Sequence, residues 1–348
     1  MRGKDLDIVV CGAQKPFVRG GAEQHQENLV QALVAAGHAA DLVRLPVAWE
    51  KGRLFDSPLA WRMLPLDADL VIATNFPSYF VRHPNKIVWL LHQHRGAYDG
   101  FAGGASWSDF ALDDVSLEEQ RLMTEWDVVA LGEARHIFSN SGVVSERLAR
   151  FNGLPSTPLA HPPPLYDRLH PGMSGDYVLS VQRQEANKRP HLLVEAMKDT
   201  PSPITAVMAG RGELLDDLRA LTARLRLTDR VLLPGFVPDD ELVRLYAGAL
   251  AVVYVPEDED YGYATLQAFY AGKPVICAAD SGGVLDWVED GVTGLVTDGT
   301  PGGVAAAVRR LADDRELAQR LGEAGHQRVQ SLSWDAVVER LTEQRPAL

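Results

Sequence analysis

Cysteine is almost absent from this 348-residue chain: only Cys11 and Cys277 occur, each inside an apolar, strand-like run. A disulfide scaffold is excluded, no cysteine–histidine spacing of the zinc type is present, and two buried free thiols are expected. No apolar run approaches the roughly 20 residues that a membrane-spanning helix requires. Positive charge is scarce too, with 34 Lys and Arg against 47 Asp and Glu, a net charge of −13. Nucleic acid is therefore not an expected partner, because binding it means neutralising many phosphates. A phosphate-bearing ligand would need a local cationic spot and backbone N–H groups. Neither the G-x-G-x-x-G fingerprint nor a Walker A sequence occurs. The opening residues Met1 to Asp5 lead into the strand-like run Leu6–Cys11 without the apolar stretch and cleavage pattern of a signal peptide, so a cytoplasmic protein is expected.

What is present is a regular alternation. Hydrophobic residues make up 46% and charged residues 23%, the balance of a globular protein, and the length favours two cores over one. Strand-like runs at Ile8–Cys11, Asp41–Leu45, Leu70–Thr74, Ile87–Leu91 and His136–Ser139 are separated by helix-period stretches, the first being Glu23–Ala36 with Gly37 as its stop. Several runs are apolar on both faces, as parallel strands covered by helices must be. Prolines 155, 158, 162, 163, 164 and 171 then interrupt the pattern and mark a linker. Beyond it the alternation restarts at Tyr177–Val181, Ile204–Ala209, Val231–Pro234, Leu250–Val255, Val275–Ala278 and Leu295–Thr297. Two doubly wound α/β domains are predicted, 1–168 and 169–332, with a tail helix at 333–348 packing back on the first. Two aromatic-rich stretches, Pro46–Leu66 and Gly96–Asp114, fit neither period. They include Trp49, Phe55, Trp61, Tyr98, Phe101, Trp107 and Phe110, and can be substrate walls or surface packing.

Four segments carry candidate chemistry. Arg19-Gly20-Gly21 follows the first strand and opens the first helix, where N–H donors and the dipole can meet an anion; a tight turn explains it equally. Arg183 follows the first strand of the second domain and Lys188 lies five residues on, so the two can jointly hold a diphosphate. Glu257-Asp258-Glu259-Asp260 puts four acids in a row, costly to desolvate unless they face a cation or sugar hydroxyls. Tyr261, the Gly262 break and a helix start follow, with Gln267 eight residues after Glu259. Finally, Ser281-Gly282-Gly283 at a strand end offers backbone donors.

Taken in order, Gly20-Gly21, His92, Asn140-Ser141, Arg183 with Lys188, Pro256…Glu259-x-Tyr261-Gly262…Gln267-Ala268, Gly272-Lys273-Pro274-Val275 and Ser281-Gly282-Gly283 resemble the retaining glycosyltransferases of family 4. The likeness covers nearly the whole chain and is strongest from Tyr177 to Thr297. It implies a GT-B fold, two Rossmann-like domains facing across a cleft. It implies a nucleotide-sugar substrate, UDP-linked ahead of GDP-linked, an acceptor, and no further cofactor. By the same likeness Arg183 and Lys188 bind the donor diphosphate, and Glu259 contacts the donor sugar with His92, or its neighbour His94, near the reacting carbon. Gly20, Gly21, Tyr261, Gly262, Gly282 and Gly283 surround the donor, and His94, Tyr98 and Ser141 lie on the acceptor side. Gln267 stands where the family has a second acid for the ribose; an amide keeps hydrogen bonding but loses the charge. No Asp-x-Asp metal site of the kind other transferases use is assigned, so no obligatory metal is expected. The rival readings are a nucleotide-sugar 2-epimerase, which needs no acceptor, and a silent nucleotide-sugar-binding protein, which Gln267 encourages. Without a strongly basic amphipathic helix in the first domain a soluble acceptor is preferred, and peripheral membrane docking stays open.

Overall fold

The computed structural model describes residues 5–17, 20–47, 53–99 and 114–343. The chain divides into two compact units, Met1–His161 with Ser333–Leu348, and Pro162–Leu332. The division falls within the proline-rich stretch. No helix among the described residues is long and apolar enough to cross a membrane.

The first unit is one parallel sheet in the order β2-β1-β3-β4-β5-β6. Its strands are β1 (Asp7–Gln14), β2 (Ala39–Pro46), β3 (Leu70–Asn75), β4 (Lys86–His92), β5 (His136–Ser139) and β6 (Thr157–Pro158). All of β3 is buried, and so is β4 up to Leu91, because helices cover both faces of the sheet centre. On one face the helix Gly21–Ala35 sets Leu29 and Leu33 against Ile8, Val10, Ile72 and Trp89. The helix Trp334–Thr342 joins this layer through Val337, Val338 and Leu341, and Ser333 caps it by accepting from the Ala336 N–H at 3.1 Å. The tail helix thus belongs to the first unit's core. On the opposite face, helices Asp56–Met63, Asp114–Gly132 and Gly142–Asn152 cover the sheet.

The second unit has strands β7 (Tyr177–Val181), β8 (Thr205–Ala209), β9 (Val231–Gly235), β10 (Ala251–Val253), β11 (Val275–Ala278) and β12 (Gly294–Thr297). They run parallel in the order β12-β11-β10-β7-β8-β9, the doubly wound order of a Rossmann-like domain, whose direction of winding reverses between β7 and β10. Buried Lys273 fastens the start of this unit, its Nζ donating to the Gly172 carbonyl at 2.7 Å and to Ser174 Oγ at 3.0 Å.

The aromatic stretches resolve, where described, as packing. Trp61 is fully buried in the helix Asp56–Met63, and Phe55 meets Trp126 edge-on at 4.9 Å. Tyr98 lies in the core, its hydroxyl donating to Asp127 Oδ2 at 2.6 Å while Asn152 Nδ2 donates to it at 3.1 Å. Trp49, Phe101, Trp107 and Phe110 lie outside the described residues.

Two histidines pair in the interior of the first unit. His25 and His161 contact each other at 3.0 Å between Nδ1 and Nε2, ringed by Trp89 and Trp334. Burial drives His25 down to about 3, and burial together with His25 holds His161 well below its ordinary value. An unfolded histidine protonates near pH 6.5, so the unfolded chain gains protons that the fold refuses. This contribution is complete above that pH and is lost as pH falls towards 3. Each ring adds a slope of up to about 1.4 kcal/mol per pH unit. We predict that melting temperature falls below pH 6.5 and that His161→Gln flattens the fall, measured by calorimetry between pH 4.5 and 8. Identical slopes in the two proteins would place the acid sensitivity elsewhere.

Candidate active site

In open parallel sheets, ligands lie beyond the carboxyl ends of the strands where the winding reverses. In the second unit that place is between β7 and β10. After β7 the chain passes through Gln182 and Arg183 into a short 3-10 turn, Ala186–Lys188. After β10 it passes through Tyr254 into the acid-rich turn. The two exits are tied by the Glu257 N–H, which donates to the Asn187 carbonyl at 2.8 Å. On the other flank the Asp258 N–H donates to the Asp280 carbonyl at 2.9 Å, and the Glu259 N–H to the Ser281 carbonyl at 3.3 Å. The acid turn is therefore wedged between the loops that follow β7 and β11.

Gly282 and Gly283 make that wedge possible. At Gly282 φ is +61°, and a Cβ would stand 2.6 Å from the Glu259 carbonyl oxygen; at Gly283 it would stand 2.4 Å from the Asp260 carbonyl oxygen. The Gly283 N–H donates to the Glu259 carbonyl at 2.7 Å, so this donor serves the turn, a correction to the expectation that it faces a ligand. The close approach is the reason for glycine here.

Within the wedge, the Lys188 ammonium pairs with the Glu259 carboxylate, the side chains being 13% and 14% exposed. The Tyr254 hydroxyl donates to the same carboxylate at 2.5 Å. Burial pushes the Glu259 carboxyl up, but the Lys188 ammonium and the hydrogen bonds from Lys188 and Tyr254 outweigh it, Asp260 opposing, and the group is held below the usual range. Tyr254 is pushed far up by burial and by the Glu259 carboxylate, so it remains a donor. Arg183 is more open: its side chain is 56% exposed and pairs with Glu185 at 2.8 Å, near enough to Tyr254 to act on its hydroxyl. Arg189, which follows Lys188, has left-handed backbone at φ +47°. Its guanidinium donates to the Val255 carbonyl at 2.9 Å and the Pro256 carbonyl at 2.8 Å, and grips Asp280 through both carboxylate oxygens. Sequence reasoning missed Arg189 and Tyr254. A tyrosine closing an otherwise apolar buried strand was the available signal, since its hydroxyl must find a partner.

Gln267 is buried and uses both ends of its amide: Oε1 accepts from the Tyr246 hydroxyl at 2.9 Å and Nε2 donates to the Pro164 carbonyl at 3.1 Å. Tyr261 is buried edge-on to Tyr263 and Trp287, and Gly262, at φ +77°, starts the helix Tyr263–Tyr270. Asp258-Glu259-Asp260 has Asp-x-Asp spacing, yet no group of three ligating side chains among the described residues could hold a metal ion.

The candidates of the first unit separate by burial. His92 ends β4 half-buried, and its Nδ1 donates to the Gln93 carbonyl at 2.9 Å, which makes Nε2 the acceptor of the neutral ring. His94 is buried with its ring 5.4 Å from Phe76. Tyr98 is a core residue, a correction to its expected place on an acceptor surface. Ser141 caps the helix Gly142–Asn152, accepting from the Val144 N–H at 3.2 Å, so its oxygen already has a structural duty. The Gly20 N–H donates to the Glu23 carboxylate at 2.7 Å, and Gly21 begins the first helix. Arg19 lies outside the described residues.

Residues 170–328 match the family described as Glycosyl transferases group 1, a span that contains every charged residue of this site. The chain is 28% identical over 257 residues to the D-inositol 3-phosphate glycosyltransferase of Acidothermus cellulolyticus, covering 66% of this chain and 56% of that protein. It is 30% identical over 187 residues to the enzyme of the same name from Streptomyces coelicolor, covering 53% and 39%. The aligned part is thus about half the length of these relatives or less. Among solved structures, sucrose-phosphate synthase from Thermosynechococcus elongatus superposes with a TM-score of 0.77 at 20% identity, over 97% of both chains. Anabaena HepE in complex with UDP and glucose superposes with a TM-score of 0.72 at 16% identity, over 97% of this chain and 98% of that one. The fold is GT-B, built of two Rossmann-like domains.

The wedge gives a direct test. Gly291 also has positive φ, +72°, but nothing lies within 4 Å of its would-be Cβ. Gly291→Ala should cost about 1 kcal/mol of backbone strain, whereas Gly282→Ala adds a collision with Glu259 and should cost about 2–3 kcal/mol. Urea unfolding measures both; equal costs would deny the close approach its role.

Proposed function

We propose that the protein is a retaining glycosyltransferase that moves a sugar from a nucleoside diphosphate, UDP ahead of GDP, to an acceptor nucleophile. The observation that carries this reading is the Lys188–Glu259 ion pair where the second sheet reverses its winding, with Arg183 in the loop that leaves β7, inside the segment that matches group 1 glycosyltransferases. The UDP in the HepE complex supports the choice of nucleotide.

In this reading Lys188 and Arg183 hold the diphosphate, and Glu259 meets hydroxyls of the donor sugar. Breaking the anomeric bond leaves positive charge on the sugar and added negative charge on the leaving oxygen, which the two cations stabilise. The acceptor attacks from the leaving-group face and a diphosphate oxygen takes its proton. The configuration is retained without a covalent carboxylate intermediate, and the scheme is metal-independent. Glu259, held by Lys188 and Tyr254, suits a hydrogen-bonding role better than a nucleophilic one. His92, with Nε2 as its acceptor, is assigned to the reacting sugar. Gly20 is assigned to the donor site as well: its φ is −141°, and among the described residues a Cβ there would come near only a Glu23 oxygen, at 3.5 Å.

A second reading, binding without turnover, draws on Gln267, whose amide is already shared between Tyr246 and Pro164. Consumption of donor separates the readings, and consumption without acceptor would indicate an isomerase instead. We predict that UDP stabilises the protein more than GDP in a thermal-shift panel, and that Lys188→Ala lowers turnover about 10²–10³-fold. Unchanged turnover would remove the diphosphate assignment. Glu259→Gln should reduce kcat without weakening nucleotide binding.

A further inference from the structure

The Lys188–Glu259 pair has a consequence for how the site fills. The carboxylate is mostly buried, between the 3-10 turn Ala186–Lys188 on one side and the Ser281-Gly282 strand end on the other. The Lys188 ammonium and the Tyr254 hydroxyl both donate to it. An ammonium that pairs with a carboxylate in this way offers that oxygen the same geometry it would offer a phosphoryl oxygen.

We propose that Glu259 occupies on Lys188 the place of a phosphoryl oxygen, so that a nucleoside diphosphate binds by exchanging the partner of Lys188. Tyr254 keeps the released carboxylate in position. The proposal rests on the reading that Lys188 contacts the diphosphate, and it adds an order to events. Phosphate contact and the freeing of Glu259 become one step, so the carboxylate is turned towards a sugar only when the diphosphate is in place. Tyr254 can remain on the carboxylate throughout, because it approaches from the end of β10 and not from the Lys188 turn. Arg183 is not part of the exchange: its partner is Glu185, and its exposed guanidinium can meet phosphate without leaving a buried carboxylate behind.

The exchange makes a prediction opposite to ordinary loss of a site residue. Glu259→Gln should tighten UDP binding, because Lys188 no longer has to leave a charged partner; about tenfold is expected, equivalent to ~1.4 kcal/mol. Removing a negative charge near an incoming anion would also tighten binding through space, so the double-mutant cycle with Lys188→Ala decides. With Lys188 absent, Glu259→Gln should change the UDP dissociation constant less than twofold. Lys188→Gln replaces Lys188→Ala if the latter does not fold, since an amide can still donate to the carboxylate.

Titration calorimetry of the full chain with UDP reads all four proteins. Tightening that persists without Lys188 would overturn the exchange in favour of through-space repulsion. No tightening, alongside weaker binding in Lys188→Ala, would overturn the exchange and leave the diphosphate role standing. Lys188→Ala binding UDP as the unaltered protein does would overturn both. As a check on Tyr254, Tyr254→Phe should lower kcat about tenfold or more with KM within twofold; a parallel loss in both would mark Tyr254 as a merely structural residue.

Discussion

Four successive acids cannot be held against the end of a sheet unless something offsets their charge. In the second unit the mostly buried carboxylate of Glu259 is held by Lys188 and Tyr254. Burial alone would favour the protonated acid, and the ammonium reverses the balance. Around this pair the backbone is organised to bring three strand exits together. Arg189 ties the end of β10 to the loop after β11, and Gly282 and Gly283 let the acid turn lie against that loop at distances that a side chain would forbid.

Most of the fold could be read from residues alone because parallel strands buried on both faces announce themselves as short apolar runs. All eleven predicted strands are present, within a few residues at their ends. The one missed, β6 at Thr157–Pro158, is a two-residue edge strand containing proline, which has no periodicity to detect. The helix Asp56–Met63 was hidden for a related reason: it is two turns long and has Pro58 in its first turn, where proline is tolerated but reads as a breaker. Aromatic richness misled in the same region, since Trp61 and Tyr98 are core residues whose polar atoms do not reveal themselves in a linear pattern.

The site was legible where chemistry follows chain order. Arg183, Lys188 and Glu259 each follow a strand; the rule that ligands gather at carboxyl ends pointed to Arg183 and Lys188, while Glu259 was singled out among four acids by the family resemblance. Their mutual pairing was not legible, because which cation meets which acid depends on strand order in the sheet, and β7 and β10 become neighbours only through the reversal of winding. Gln267 shows the limit from the other side. Its position in the motif suggested a ligand contact, while both ends of its amide are engaged by Tyr246 and Pro164, residues 21 and 103 positions away.

The two units share an architecture and differ in what fills their points of reversal. In the first unit that point is between β1 and β3, and it is closed by neutral side chains together with the Arg44 guanidinium, which donates to Gln26 Oε1 at 2.7 Å and pairs with Glu27 at 3.1 Å. Gln26 Nε2 donates to Thr74 Oγ1 at 3.0 Å and to Asn75 Oδ1 at 3.2 Å, while Asn75 exchanges hydrogen bonds with the backbone of Ala13 at 3.0 and 3.2 Å. Gly12 leaves room for the Gln26 amide, which a Cβ would meet at 2.3 Å. The cation of this network, Arg44, is tied to Gln26, to Glu27 and to the Glu23 carbonyl. The corresponding place in the second unit holds an ion pair, whose cation can be drawn to a stronger anion. The backbone topology alone would permit a phosphate-bearing ligand in either unit, and the reading proposed above favours the second because of that ion pair.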